Sequence, residues 1–224
     1  MRVLENIYLI PSFVNSYLME RENDCVLIDT GMSKKAKNII LALKSHCPDK
    51  PLKAIIITHA HLDHTRGLET LCQLYEPEVV AHKDESAYIM KTERMPSKSG
   101  FFNKITDMFS SAVSGSGHAI DQLVTNEKVV YGLKVLYLPG HTPGSIALED
   151  TKSKALFCGD IVNTNKSGDR ILPPKKSYAL NYEEALKSSL EMFKISKPKA
   201  ILPGHGTPIL DPENAIKVYL EEYS

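Results

Sequence analysis

An α+β fold, two sheets packed face to face with helices outside, is predicted by three observations on this 224-residue chain. Short β-branched apolar runs alternate with segments of helical spacing. Each half of the chain repeats a rough plan of strands followed by a helix. Loops bearing His or Asp beside glycine follow the apolar runs in both halves. With 42% hydrophobic residues, a chain of this length can bury one large core. A single domain over residues 1–224 is therefore expected, with an inserted helical segment at about 91–126.

Residues 3–10, 14–20 and 25–29 read as three consecutive strands, with Pro11-Ser12 and the polar run at 21–24 supplying turns, so the chain opens antiparallel. Asp29-Thr30-Gly31 ends the third strand. Ser33 is the expected N-cap of a helix over 34–45, whose apolar side is Ala36, Ile39, Ile40 and Leu43. The run at 54–57 is short and β-branched, as buried strands are, and a cluster of histidines follows it directly. Leu68, Leu71, Cys72 and Tyr75 then recur at helical spacing. A short strand at 79–81 and a helix at 84–91 come next.

The pattern changes in the insert. Pro96 and a series of serines and glycines surround an apolar helical face of Phe101, Phe102, Ile105, Met108, Phe109 and Val113. Such a face suits core packing, a homodimer contact or a substrate wall. Strands resume at 129–131, 133–138, 145–148 and 155–158. A helix at 182–193, a strand at 200–202 and a helix at 212–222 complete the pattern.

Lys plus Arg and Asp plus Glu number 27 each, so the net charge is zero. No polybasic run supplies the footprint of a nucleic-acid binder, and the expected partner is a small molecule. No apolar stretch approaches membrane-spanning length, and Glu5 and Asn6 interrupt the start where a signal peptide needs an unbroken apolar region. A cytoplasmic protein is expected. Cys25, Cys47, Cys72 and Cys158 show no C-x-x-C spacing and sit mostly in apolar surroundings, which reads as buried thiols.

The chemistry centres on His59, His61, Asp63 and His64, within six positions. In extended backbone, residues two apart share a side, so His59, His61 and Asp63 can project together while His64 turns away. Three further loops follow apolar strands: Pro139-Gly140-His141-Thr142-Pro143-Gly144, Cys158-Gly159-Asp160 and Pro203-Gly204-His205-Gly206. Glycine permits the tight backbone that brings a short loop close to a metal. Together these supply five His and two Asp, enough for two metals sharing one carboxylate. No Gly-x-Ser-x-Gly elbow competes, since Ser114-Gly115-Ser116-Gly117 lacks the strand and helix context. Of the other histidines, His46 reads as a helix end, His82 as a strand end that could line a pocket, and His118 as part of the insert.

The string His59-x-His61-x-Asp63-His64, followed in order by His141, Asp160 and His205, closely resembles the metallo-β-lactamase fold hydrolases, with Asp29-Thr30-Gly31 matching their first motif. The resemblance implies a four-layer αββα sandwich with the metal site at the edge between the sheets. It implies a first metal on His59, His61 and His141, a second on Asp63, His64 and His205, Asp160 bridging them, and Asp29 orienting ligands from behind. Two divalent ions, zinc first with iron or manganese as alternatives, would hold a bridging hydroxide that attacks an ester, thioester or lactone, and Asp63 could pass on a proton. The Asp63-His64 pair is typical of glyoxalase II-like thioesterases, lactonases, phosphodiesterases and nucleases, rather than of β-lactam-cleaving members with a Cys ligand. Glyoxalase II-like enzymes carry a basic C-terminal helical region for glutathione that finds no counterpart soon after His205. Related lactonases place a Tyr three residues after the bridging Asp. Asn163 stands there and offers an amide to an oxyanion; Tyr178 is a further candidate. The same ligand set also serves mononuclear iron persulfide dioxygenases, and nucleases form a third alternative.

Overall fold

A computed structural model describes residues 1–96 and 117–224. The first sheet has seven strands in sequential order: β1 (Arg2–Leu4), β2 (Ile7–Ile10), β3 (Ser16–Glu20), β4 (Cys25–Ile28), β5 (Leu52–Ile57), β6 (Glu78–His82) and β7 (Gln122–Val124). Pairing is antiparallel from β1 to β4 and parallel from β4 to β7. Helices α1 (Lys37–His46), α2 (Leu62–Thr65), α3 (Leu68–Tyr75) and α4 (Ser86–Ile89) follow its strands, α1 packing against β2 and β3, with a 3₁₀ turn at Lys83–Glu85 before α4.

The second sheet is built from β8 (Val129–Val130), β9 (Leu133–Tyr137), β10 (Ile146–Asp150), β11 (Ala155–Gly159) and β14 (Ala200–Pro203), ordered β14-β11-β10-β9-β8. A small ribbon of β12 (Asn163–Thr164) and β13 (Ile171–Leu172) stands beside it. Helices α5 (Tyr182–Ile195) and α6 (Glu213–Tyr223) follow.

Side-chain alternation sorts these elements into four layers. Val26, Ile28, Ala54 and Ile56 of the first sheet meet Val135, Ile146, Leu148 and Phe157 of the second in one inner core. Leu27, Ile55 and Ile57 point the other way, onto Ile39 and Leu43 of α1 and Leu68 and Leu71 of α3. Leu156 and Ile201 likewise face Met192 and Phe193 of α5 and Tyr219 of α6. Central strands are covered on both faces, which is why 54–57 is an unbroken apolar run rather than an alternating one. Each fully buried Leu, Ile or Phe contributes about 1.5–3 kcal/mol through burial. The result is the predicted αββα sandwich.

Several boundaries differ from expectation. Residues 3–10 form a hairpin, β1 and β2, because Asn6 takes a left-handed conformation (φ 61°) and turns the chain. Helix α1 starts at Lys37, not at 34, because Ala36 is left-handed and no side chain, Ser33 included, caps the helix. The expected helix at 84–91 splits into the 3₁₀ turn and α4. The tail of the expected insert includes β7, which pairs with β6 and completes the first sheet. The apolar face from Phe101 to Val113 lies outside the described residues. All four cysteines are free and buried. Among the described residues, no helix is long and apolar enough to cross a membrane.

Candidate metal centre

Every candidate ligand follows the C-terminal end of a strand: Asp29 after β4, His59 after β5, His141 after β9, Asp160 after β11 and His205 after β14. These ends meet along one edge of the sandwich, where backbone bonds join the sheets. Ile146 N donates to Thr58 O (3.0 Å) and Asn15 N to Gly204 O (2.8 Å), while within the second sheet Gly204 N donates to Gly159 O (2.8 Å). The Asn15 side chain donates to the carbonyls of Pro203 and Gly206, and Tyr17 Oη donates to Pro203 O, so the first sheet anchors the loop that carries His205. A Cβ on Gly204 would lie 2.6 Å from Asp160 Oδ1 and 2.8 Å from His64 Cε1, so only glycine lets this loop close over both side chains.

His59, His61 and His141 form the first group. Their rings are nearly perpendicular to one another, at 79–81°, with centroids 4.7–4.8 Å apart. His61 Nδ1 lies 3.1 Å from His59 Nε2 and 3.0 Å from His141 Nε2. Nitrogens bound tetrahedrally at about 2.0–2.1 Å would stand about 3.3 Å apart, so the three are spaced as ligands of one ion. Burial pushes His59 well below the ordinary imidazole range, lowers His61, and pushes His141 down to about 3. These are neutral rings offering lone pairs.

Asp63, His64 and His205 form the second group, with donor atoms within 4.8 Å of one another. Asp160 stands between the groups. Its Oδ2 is 3.6 Å from His141 Nε2 and 3.4 Å from His205 Nε2, and its Oδ1 is 3.3 Å from His64 Nε2. His205 Nε2 is also 3.5 Å from Asp63 Oδ2. Hydrogen bonds to Asp160 and Asp63 raise His205 to about 9. Burial opposes charge on His64, yet the Asp29 and Asp160 carboxylates raise it well above the usual range.

Behind these groups a short relay fixes ring tautomers. Asp29 Oδ1 accepts from Thr58 N and its Oδ2 from Thr58 Oγ1, both at 2.8 Å. Asp29 Oδ2 also takes the Nδ1 proton of His64 (2.8 Å), while Thr58 Oγ1 accepts from His59 Nδ1 (3.1 Å). Both rings therefore turn their Nε2 lone pairs inward. The buried His64 Nε2 and Asp160 Oδ1 then face each other without a hydrogen bond. Such a pair needs a proton or a metal cation between its acceptor atoms, and the donor set fits a metal ion on this count.

All seven ligands expected from sequence converge here, with Asp29 behind them. Asn163 is buried on β12, where its Nδ2 donates to Pro173 O (3.3 Å). Tyr178 is exposed and stacks beneath Lys175 Nζ. His82 is buried and stacked on Tyr137, His46 ends α1 against Tyr8, and His118 bonds the Ala119 carbonyl. Two residues escaped the sequence reading. Thr58 is one, signalled only by its place beside His59. Glu85 is the other: it is fully buried, its Oε2 accepts from Ala60 N and its Oε1 from Gly144 N, both at 2.6 Å. Burial pushes its carboxyl up to about 7, against the opposing pull of Thr142 and these amides.

The fold and this site define a class. Residues 9–205 match the model of the metallo-beta-lactamase superfamily, and the chain belongs to that superfamily. It is similar to YflN of Bacillus subtilis (strain 168), named as a probable metallo-hydrolase: 30% identical, covering 92% of this chain and 82% of that protein. It is also similar to a hydroxyacylglutathione hydrolase of Blochmanniella pennsylvanica (strain BPEN), 31% identical over 70% of this chain and 51% of that one, so the match spans about half the relative. The crystal structure of the metallo-beta-lactamase family protein TTHA1429 from Thermus thermophilus superposes with TM-score 0.69 at 21% identity, covering 99% of this chain and 80% of that one. By homology, with its His-rich site, the chain is a metal-dependent hydrolase.

Proposed function

We propose that the chain is a binuclear hydrolase of a small ester, thioester or lactone. The observation that carries this is Asp160, whose two oxygens face His64 on one side and His141 and His205 on the other, so that one carboxylate serves both groups. When bound, two divalent cations, zinc first with iron or manganese as alternatives, supply Lewis acidity and hydroxide at neutral pH. His59, His61 and His141 would hold one, Asp63, His64 and His205 the other, and Asp160 both. Asp29 and Thr58 keep the His59 and His64 lone pairs aimed inward. Asp63, half-buried at the open side, would carry the proton to the leaving group.

Substrate class is supported by the named activity of the Blochmanniella relative, hydrolysis of a hydroxyacylglutathione, in which a thiol carries the acyl group. It is supported too by Phe13, which is 72% exposed and edge-on to His205 at 5.6 Å, giving the site an apolar rim for an acyl group. Zero net charge supports a small-molecule partner over nucleic acid. Asn163 has one Nδ2 hydrogen that Pro173 O leaves free, so any donation to the oxyanion is a minor contribution beside its packing of the loop after Asp160.

The test pairs metal analysis of protein purified without added metal with an anaerobic panel of thioesters, esters and lactones. Two equivalents of metal and hydrolysis without oxygen are expected. One iron per chain with oxygen uptake on a persulfide would replace this reading with a dioxygenase, and cleavage of RNA or DNA with a nuclease.

A further inference from the structure

We propose that Glu85 is a positioning residue, a carboxylate clamp that ties together the two loops carrying His59, His61 and His141 and so sets the span of the three-nitrogen cradle. The proposal rests on the metal-centre reading above. Ala60 lies between His59 and His61, and Gly144 lies three residues after His141. One Glu85 oxygen takes the amide of each, at 2.6 Å, and the side chain has no exposure to water. These are short, charge-assisted bonds from the backbone of the ligand loops themselves.

The turn that bears Glu85 is itself docked onto the His141 loop. His82 stacks on Tyr137 at 4.3 Å between centroids, and Tyr137 Oη reaches Pro143 O at 3.1 Å and Asp84 Oδ2 at 3.3 Å. Gly144 closes the contact: a Cβ there would stand 2.7 Å from Glu85 Cγ and 2.8 Å from Glu85 N. The loops are thus held at a fixed separation by one side chain and kept close by one missing Cβ.

The charge and length of the side chain both matter. A glutamine would turn an NH₂ toward one of the two amides and release that loop. An aspartate is a methylene shorter and would not span both. A buried carboxylate is costly where nothing offsets it, and a cationic centre held by the adjoining loops would offset it. Partners of this kind behind metal ligands typically change metal affinity by about 10–100-fold.

The experiment titrates cobalt(II) into metal-stripped protein against a competing chelator, records the visible spectrum, and follows thermal melting of the metal-stripped chain. Glu85→Gln is expected to melt near the parent yet bind one of two cobalt ions about 10–100-fold more weakly, with a changed visible band. Unaltered affinity and spectrum in the folded variant would overturn the clamp. If Glu85→Gln does not fold, Glu85→Asp, which keeps the charge and loses the span, decides by the same readouts. Failure of both to fold would assign Glu85 to fold stability and overturn the proposal as well. A parent chain that binds no cobalt would instead sink the metal-centre reading, and the clamp with it.

Discussion

His59 and His141 are buried and His61 half-buried, all three rings held neutral, whereas in the neighbouring group carboxylates raise His64 and His205 above the ordinary imidazole range. The first group is built of neutral rings whose nitrogens are spaced to share one cation. The second has acid groups that already attract a proton, so a metal must displace it. Asp160 belongs to both. The difference teaches that affinity in one half comes from prearranged geometry and in the other from negative field.

The most severe way to break this comparison is to remove the shared carboxylate. Asp160→Ala should lower kcat/KM on the order of 10⁴-fold, as when one member of a unit is lost, while the circular dichroism spectrum stays that of the parent. Wild-type turnover would sink the bridging role. Asp29→Ala acts on one half more than the other, because His64 loses its Nδ1 partner. It should weaken the second metal by about 10–100-fold and leave the first measurable by competition titration.

Acidity sharpens the contrast further. His205, raised to about 9, contributes stability that is fully present below about 6.5 and lost as pH climbs through 9. His141, lowered to about 3, works in the opposite sense, its contribution falling away as pH drops from about 6.5 towards 3. Metal-stripped protein should therefore melt highest near neutral pH and lower on either side, and excess zinc should flatten the alkaline limb. A melting curve that only rises with pH would contradict the assignment.

Smaller effects fall on the rim. Phe13→Ala removes an aromatic contact of about 0.5–1.5 kcal/mol beside His205, so KM for a thioester should rise about two- to tenfold with kcat little changed. Asn163→Ala should cost less than about tenfold in kcat if Pro173 occupies its amide. A loss of about 10²–10³-fold would instead mark an oxyanion donor.

Much of this was legible in the chain because ligands and strands leave local marks. A β-branched run followed by His-x-His needs no tertiary knowledge, and Gly204 beside His205 announces a close approach. Element limits were harder to see where one residue reverses the chain: Ala36 adopts left-handed backbone that its side chain does not advertise, and Asn6, which tolerates that conformation, does so inside an apolar run. Strand β7, three residues with a polar first member, offers almost no period to detect. Glu85 was invisible for another reason. Its partners are amides, which every residue but proline possesses, so no spacing of side chains could point to it.

The ligands run from His59 to His205 and come together only when both sheets have met at one edge. An unfolded chain keeps only the short His59–His64 cluster, so the complete site and the tighter binding belong to the native state. At a free metal concentration a hundred times the dissociation constant, that preference adds about 2.7 kcal/mol to folding. The supply of metal in the cell would then govern how long each molecule escapes proteolysis, as well as how fast it turns over substrate.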